Sequence, residues 1–220
     1  LETAADFIER GFNVLIADPR GQGLSDRLLD DKIKSHIEDF GDYVDDLAYA
    51  VKELSLSLPQ PHVLMGHSMG GGASFLAAEN NPNINTLVNF AAAETNPSAI
   101  TATQNISIPT LIFSGDDDCV APPVNHQDIM YNALNSSCKT QIKIINGGHC
   151  YFANENILCS FGESSCNSNL SILRNEQQEI TNNFNANKSR FYAEKDGLSP
   201  QTASTNAYQI KQDYPSSTDG

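Results

Sequence analysis

The sequence predicts an α/β fold, a mostly parallel central sheet with helices on both faces. Three observations carry that prediction. Short apolar runs alternate along the chain with segments of helical periodicity. The run Val63-Leu64-Met65 leads straight into Gly66-His67-Ser68-Met69-Gly70, the pattern of a strand turning sharply into a helix. Two later strand patterns, Pro109-Thr110-Leu111-Ile112-Phe113-Ser114-Gly115 and Gln141-Ile142-Lys143-Ile144-Ile145-Asn146, are each followed by residues that carry chemistry. Open α/β sheets bind ligands at that edge, beyond the carboxyl ends of their strands.

The elements follow in order. Thr3 to Arg10 predicts a helix, with Gly11 as its C-terminal cap. Asn13–Ala17 predicts a strand, and Asp18-Pro19-Arg20-Gly21-Gln22-Gly23-Leu24-Ser25 a tight βα turn in which Arg20 and Asp18 can pair. A polar loop runs from Asp26 to His36. Phe40, Tyr43, Val44, Leu47, Val51 and Leu54 recur at three- and four-residue steps, an amphipathic helix facing the sheet. Its acids Asp39, Asp42, Asp45 and Asp46 read as a solvated face. Strand Val63–Met65 leads to helix Met69–Glu79, where Gly71, Gly72 and Ala73 permit close packing. Strand Thr86–Phe90 comes next. The connection from Ala93 to Ile108 is short, which predicts an open site without a cap. Strand Thr110–Ser114, helix Val124–Leu134 and strand Gln141–Ile145 complete the core. Ile180 and Phe184 suggest a last helix over Asn175–Tyr192. Residues 1–192 therefore form one domain, and the polar stretch 193–220 is expected to be poorly ordered.

The turn at Ser68 has a physical logic. The chain must pass from strand to helix in about one residue, which forces Ser68 into a strained backbone conformation. Gly66 and Gly70 lack the Cβ atoms expected to clash across so tight a turn. The Ser68 hydroxyl then stands above the sheet, and the Met69 N–H lies at a helix N-terminus, ready to bind an oxyanion. A serine nucleophile needs a base to take its proton and a carboxylate to orient that base. Asp116, Asp117 and Asp118 follow one strand, and His149 follows Gly147-Gly148 at the end of the next. One aspartate at most can face His149. Asp118 is the choice, with Asp117 as the alternative. His36, His62 and His126 read as structural, and His67, the variable residue of the turn, as part of the pocket wall. No spacing of Cys or His suggests a metal, and the chemistry needs no cofactor.

With these residues in place the chain resembles the α/β-hydrolase superfamily, from about Thr3 to about Tyr192. Asp18-Pro19-Arg20-Gly21-Gln22-Gly23-Leu24-Ser25 is similar to the turn after the fourth strand of many such enzymes. The segments Ser68–Gly72, Asp118–Pro122 and Ile145–His149 resemble the bacterial cutinase and polyester-hydrolase group and dienelactone-hydrolase-like lipases. Asp118, three residues after Gly115 and four before Pro122, fits the Gly-x-x-Asp-x-x-x-Pro arrangement of that family. The resemblance implies a secreted serine esterase or lipase without a lid. Ala91-Ala92-Ala93-Glu94-Thr95-Asn96-Pro97 stands where the polyester group carries an aromatic clamp, usually Trp, and the chain has no Trp. Flat aromatic polyesters are therefore disfavoured. By the same resemblance, the opening strands and an oxyanion loop with a second donor are expected upstream of Leu1. Other acyl chemistry on the same three residues (thioesterase, acyltransferase or peptidase) stays open, as does a non-catalytic binding protein or an inactive fragment.

Composition narrows the partners. A length of 220 residues suits one domain with a substantial core. A formal net charge of −14 argues against nucleic acid and anionic membranes, and against strongly anionic substrates. A small neutral ester, a monomer and no stable membrane insertion are the expectations. Of five cysteines, Cys119 follows the proposed acid and Cys150 the proposed base. Neighbouring parallel strands would bring those two together as a Cys119–Cys150 bridge, leaving Cys159–Cys166 to close a short loop and Cys138 free. Other pairings among Cys150, Cys159 and Cys166 remain open. Paired cysteines imply a secreted or periplasmic protein.

Overall fold

The computed structural model describes residues 2–31, 34–155, 157–164, 166, 170–186 and 208–213. Its centre is a five-stranded sheet of β1 (Val63–His67), β2 (Thr86–Phe90), β3 (Thr110–Gly115), β4 (Lys139–Ile144) and β5 (Tyr208–Asp213), in that spatial order. The first four strands are parallel, so their carboxyl ends share one edge. β5 returns antiparallel along β4, with Ile210 opposite Ile142.

The central strands β2, β3 and β4 are buried on both faces. Leu87 and Ile112 point to one side, where they pack with Phe75 of α3 (Met69–Ala78), Ala99 of α4 (Ala99–Thr103) and Met130 of α5 (Gln127–Ala133). Val88, Leu111, Phe113, Ile142 and Ile144 form the core of the other side, with Ile180 of α7 (Arg174–Ala186), Tyr208 and Ile210 against them. Apolar residues at successive strand positions are what a sheet covered on both faces requires. Among the described residues no helix is long and apolar enough to cross a membrane.

Most predicted elements form within a residue or two of their expected ends, starting with α1 (Glu2–Glu9) and its Gly11 cap at φ 86°. The connection between β2 and β3 holds only the five-residue α4. Several expectations change. Residues 13–17 form no strand, and Val14, Leu15 and Ile16 are exposed. A strand is held by its neighbours, and none of the five lies against this run. Arg20 pairs with Asp46 and Asp42 of α2 (Gly41–Ser55), at 2.7 and 3.1 Å. Asp18 instead accepts the Leu24 N–H at 3.0 Å. Two of the acids read as a solvated face therefore fasten the Asp18–Ser25 turn to α2. Helix α2 rests on α3 and fully buries only Val51. Helix α6 (Ile157–Ser164) has no counterpart in the sequence reading. Residues 208–213, placed in a poorly ordered tail, are a strand. The predicted helical residues 187–192 and the rest of that tail lie outside the described residues.

Candidate active site

The nucleophile turn is built as the sequence predicts. Ser68 is the single residue between β1 and α3, at φ 55° and ψ −124°. Its N–H donates to the Phe90 carbonyl at 3.0 Å, and its own carbonyl accepts from Gly71, Gly72 and Ala93 at 2.9–3.2 Å. The side chain makes no capping hydrogen bond to the helix it precedes. Met69 is the first residue of α3, where N–H groups lie beyond reach of an intrahelical carbonyl.

The glycines divide differently from the expectation. A Cβ on Gly66 would stand 2.3 Å from the Gly70 carbonyl oxygen and 2.4 Å from Ser74 Oγ. A Cβ on Gly70 would meet nothing within 4 Å. The crowded positions are Gly66, Gly71 (2.7 Å from Ala92 Cβ) and Gly72 (2.6 Å from the Ala93 oxygen). Sterics thus demand glycine where α3 crosses the end of β2, more than at the last position of the pentapeptide.

Asp118 and His149 meet beyond the ends of β3 and β4. His149 Nδ1 lies 2.8 Å from Asp118 Oδ2, and each residue is only 3% exposed. Asp118 Oδ1 accepts the N–H groups of Val120 and Ala121 at 2.9 and 2.7 Å, which fixes the carboxylate plane. The choice between the aspartates falls to Asp118. Asp116 and Asp117 use their N–H groups to stitch the β3 end to the carbonyls of Ile144 and Gly147. Burial and the neighbouring Asp117 push the Asp116 carboxyl up, against hydrogen bonds from nearby main-chain N–H groups. With the Nδ1 proton donated to Asp118, neutral His149 keeps its lone pair on Nε2, as a general base requires.

His67 links the two halves of the site. Its Nε2–H donates to the His149 carbonyl at 3.0 Å, and the two rings sit 4.7 Å apart. Burial, followed by the proximity of His149, pushes its pKa down to about 4. His67 is therefore neutral above that value, and its ring N–H supports the turn carrying His149. Two histidines read as structural separate here. His62 spans the Asn83 and Leu58 carbonyls at 3.0 and 3.2 Å, a structural role. His126, half-buried at the start of α5, accepts the Glu94 N–H at Nδ1 (2.9 Å) and lies within the field of Asp118 and His149. No strand-end signal marked His126, because its helix starts far along the chain from β2.

The cysteines pair as Cys119–Cys166 and Cys150–Cys159, not as Cys119–Cys150 and Cys159–Cys166. Adjacent strand ends did bring the acid and base loops together. Helix α6, unforeseen, supplies Cys159 as the partner of Cys150, and Cys166, just beyond its end, is the partner of Cys119. Cys138 is a free thiol, raised in pKa by burial.

The chain matches two family models, "Serine aminopeptidase, S33" over residues 1–101 and "PET hydrolase-like" over residues 60–165. It is similar to lysophospholipase L2 of Escherichia coli (strain K12), 43% identical over 84 residues, 38% of this chain and 25% of that protein. Cutinase est1 of Thermobifida alba is 33% identical over 87 residues, 39% of this chain and 28% of its own. Bis(hydroxyethyl) terephthalate hydrolase of Streptomyces coelicolor is 31% identical over 87 residues, 39% and 27% of the two chains. The matched region thus spans about a quarter of the length of each of these relatives.

Proposed function

We propose that this chain is an α/β-hydrolase related to the cutinases and that it hydrolyses carboxylic esters through Ser68, His149 and Asp118. The observation that carries the proposal is the buried 2.8 Å contact of His149 with Asp118, tied through His67 to the turn bearing Ser68. The relatives named for lysophospholipids, cutin and bis(hydroxyethyl) terephthalate have ester substrates in common, which supports the class.

In the proposed reaction Ser68 Oγ attacks the ester carbonyl while His149 Nε2 takes its proton. Asp118 holds the ring in the productive tautomer and faces the imidazolium that forms. The Met69 N–H stabilises the oxyanion. Collapse expels the alcohol, which receives the proton from His149. Water, deprotonated by the same ring, then attacks the acyl-Ser68 ester and frees the acid. Small neutral esters are the proposed substrates, since a net charge of −14 repels anions. The two disulfides support an oxidising compartment, secreted or periplasmic. Residues 1–101 match a model named for an aminopeptidase, so peptide substrates are a second reading, separable with matched p-nitroanilides.

The test is the initial rate on short p-nitrophenyl esters beside the Ser68→Ala variant. The expected loss is on the order of 10⁴–10⁶. A variant that retains most of the wild-type rate would overturn the assignment.

A further inference from the structure

Side chains from α6 and α7 hold the turn carrying His149. Gln177 of α7 is fully buried. Its Oε1 accepts the Gly148 N–H at 3.0 Å, and its Nε2 donates to the Gly148 carbonyl at 2.9 Å. One amide thus takes both main-chain groups of the residue before the base. Glu163 of α6, 8% exposed, accepts the Cys150 N–H at Oε1, 2.8 Å away. Arg174 Nη1 donates to the carbonyls of Cys150 and Ala153.

The two glycines before His149 take their meaning from these partners. A Cβ on Gly147 would come within 3.0 Å of Gln177 Oε1. A Cβ on Gly148 would stand 2.4 Å from Glu163 Oε1 and 2.8 Å from Leu170. At Gly147 the Ile144 carbonyl oxygen (2.9 Å) and Gly115 Cα (3.1 Å) crowd the same space as Gln177, and at Gly148 Leu170 shares it with Glu163. Gly147 is also used on its other side, where its carbonyl accepts the Asp117 N–H at 3.1 Å. The acid and base loops are therefore coupled through a turn whose position is set by Gln177 and Glu163. The disulfides add to the same device, since both end on or just beyond α6, one from each loop.

We infer that Gln177, assisted by Glu163, is a positioning residue for the base. It fixes the Gly148 peptide so that His149 Nδ1 meets Asp118. The inference rests on the esterase reading for its consequence in rate, but the His149–Asp118 contact can be read without turnover.

The experiment uses the whole chain and four variants, Gln177→Leu, Gln177→Glu, Glu163→Leu and Glu163→Gln. Three readouts are taken: kcat and KM on p-nitrophenyl butyrate, the low-field proton resonance of the His149 Nδ1–H, and the thermal unfolding curve. Gln177→Leu is expected to lower kcat by about 10–100-fold, with KM little changed, because the base is misplaced and the substrate site is not. Its low-field resonance should weaken or vanish. Gln177→Glu keeps an acceptor for the Gly148 N–H and should fall between. Glu163→Gln keeps its acceptor and should restore what Glu163→Leu loses. Unchanged resonance and kcat in a cooperatively folding Gln177→Leu would overturn the inference. Should that variant not fold, an unchanged resonance in both Gln177→Glu and Glu163→Leu would do so. Failure of the esterase reading looks different: wild-type turnover would survive Ser68→Ala, while the resonance would still respond to Gln177.

Discussion

At Ser68 the backbone stands at φ 55°, a region that costs an L-residue about 1–3 kcal/mol. Four main-chain hydrogen bonds, to Phe90, Gly71, Gly72 and Ala93, hold it there. Glycine tolerates that conformation, so Ser68→Gly should abolish ester hydrolysis and yet raise stability by about 1 kcal/mol, read as a higher unfolding midpoint. A lower midpoint would mean that the serine side chain stabilises the turn. Asp118→Asn should preserve the fold but lower kcat by about 10⁴, because an amide donor opposes the working tautomer of His149. His67 has a pH signature. Its folded pKa of about 4 lies below the ordinary value of 6.5, so the unfolded chain binds the extra proton first. Its neutral form is fully compatible with the fold above pH 6.5, and stability falls as the pH drops from there towards 4. His67→Gln, which keeps a donor for the His149 carbonyl, should flatten the unfolding midpoint across that window. An identical slope in wild type and variant would remove His67 from the acid response.

At the level of elements, the site is assembled from three strand ends, those of β1, β3 and β4, and then fastened by helix α6. The three proposed catalytic residues stood out in the sequence because each sits just past a strand that the apolar pattern marks: Ser68 after β1, Asp118 after β3, His149 after β4. The supports did not. Gln177 and Glu163 lie on helices whose sequence pattern gives no reason for those side chains to point at Gly148. Their trace was the Gly147-Gly148 pair, which reads equally well as an ordinary turn. Disulfide pairing failed for a related reason: strand adjacency predicts proximity of the acid and base loops, but a helix can supply closer partners. Reduction should therefore act on both stability and catalysis. Opening Cys119–Cys166, which spans 47 residues, should cost more than opening Cys150–Cys159, which spans 9, with both in the range of about 2–4 kcal/mol. Unfolding of Cys166→Ala and Cys159→Ala in denaturant checks the order. Equal losses would argue against a loop-entropy origin.

Over the whole molecule, the sheet's two covered faces are what place three chemical groups from distant parts of the sequence at one edge. Phe113 lies at the centre, fully buried and stacked on Phe90 at 5.2 Å. Phe113→Ala should cost about 3–5 kcal/mol by denaturant unfolding and loosen the β2 and β3 ends together. The fold class was legible because β2 and β3, covered on both faces, carry the apolar runs Leu87-Val88 and Leu111-Ile112-Phe113, whereas the strand expected at 13–17 depended on a neighbour, and β5 had too little apolar character to stand out from its polar surroundings. In the proposed reaction Ser68 forms a covalent acyl intermediate. Intact-mass and peptide analysis of the chain, quenched during turnover of p-nitrophenyl acetate, tests this directly. An acetyl group on the peptide containing Ser68, absent from the Ser68→Ala variant, is the predicted result. Acetylation that persists in that variant, or turnover with no adduct at Ser68 under conditions that trap the intermediate, would contradict it.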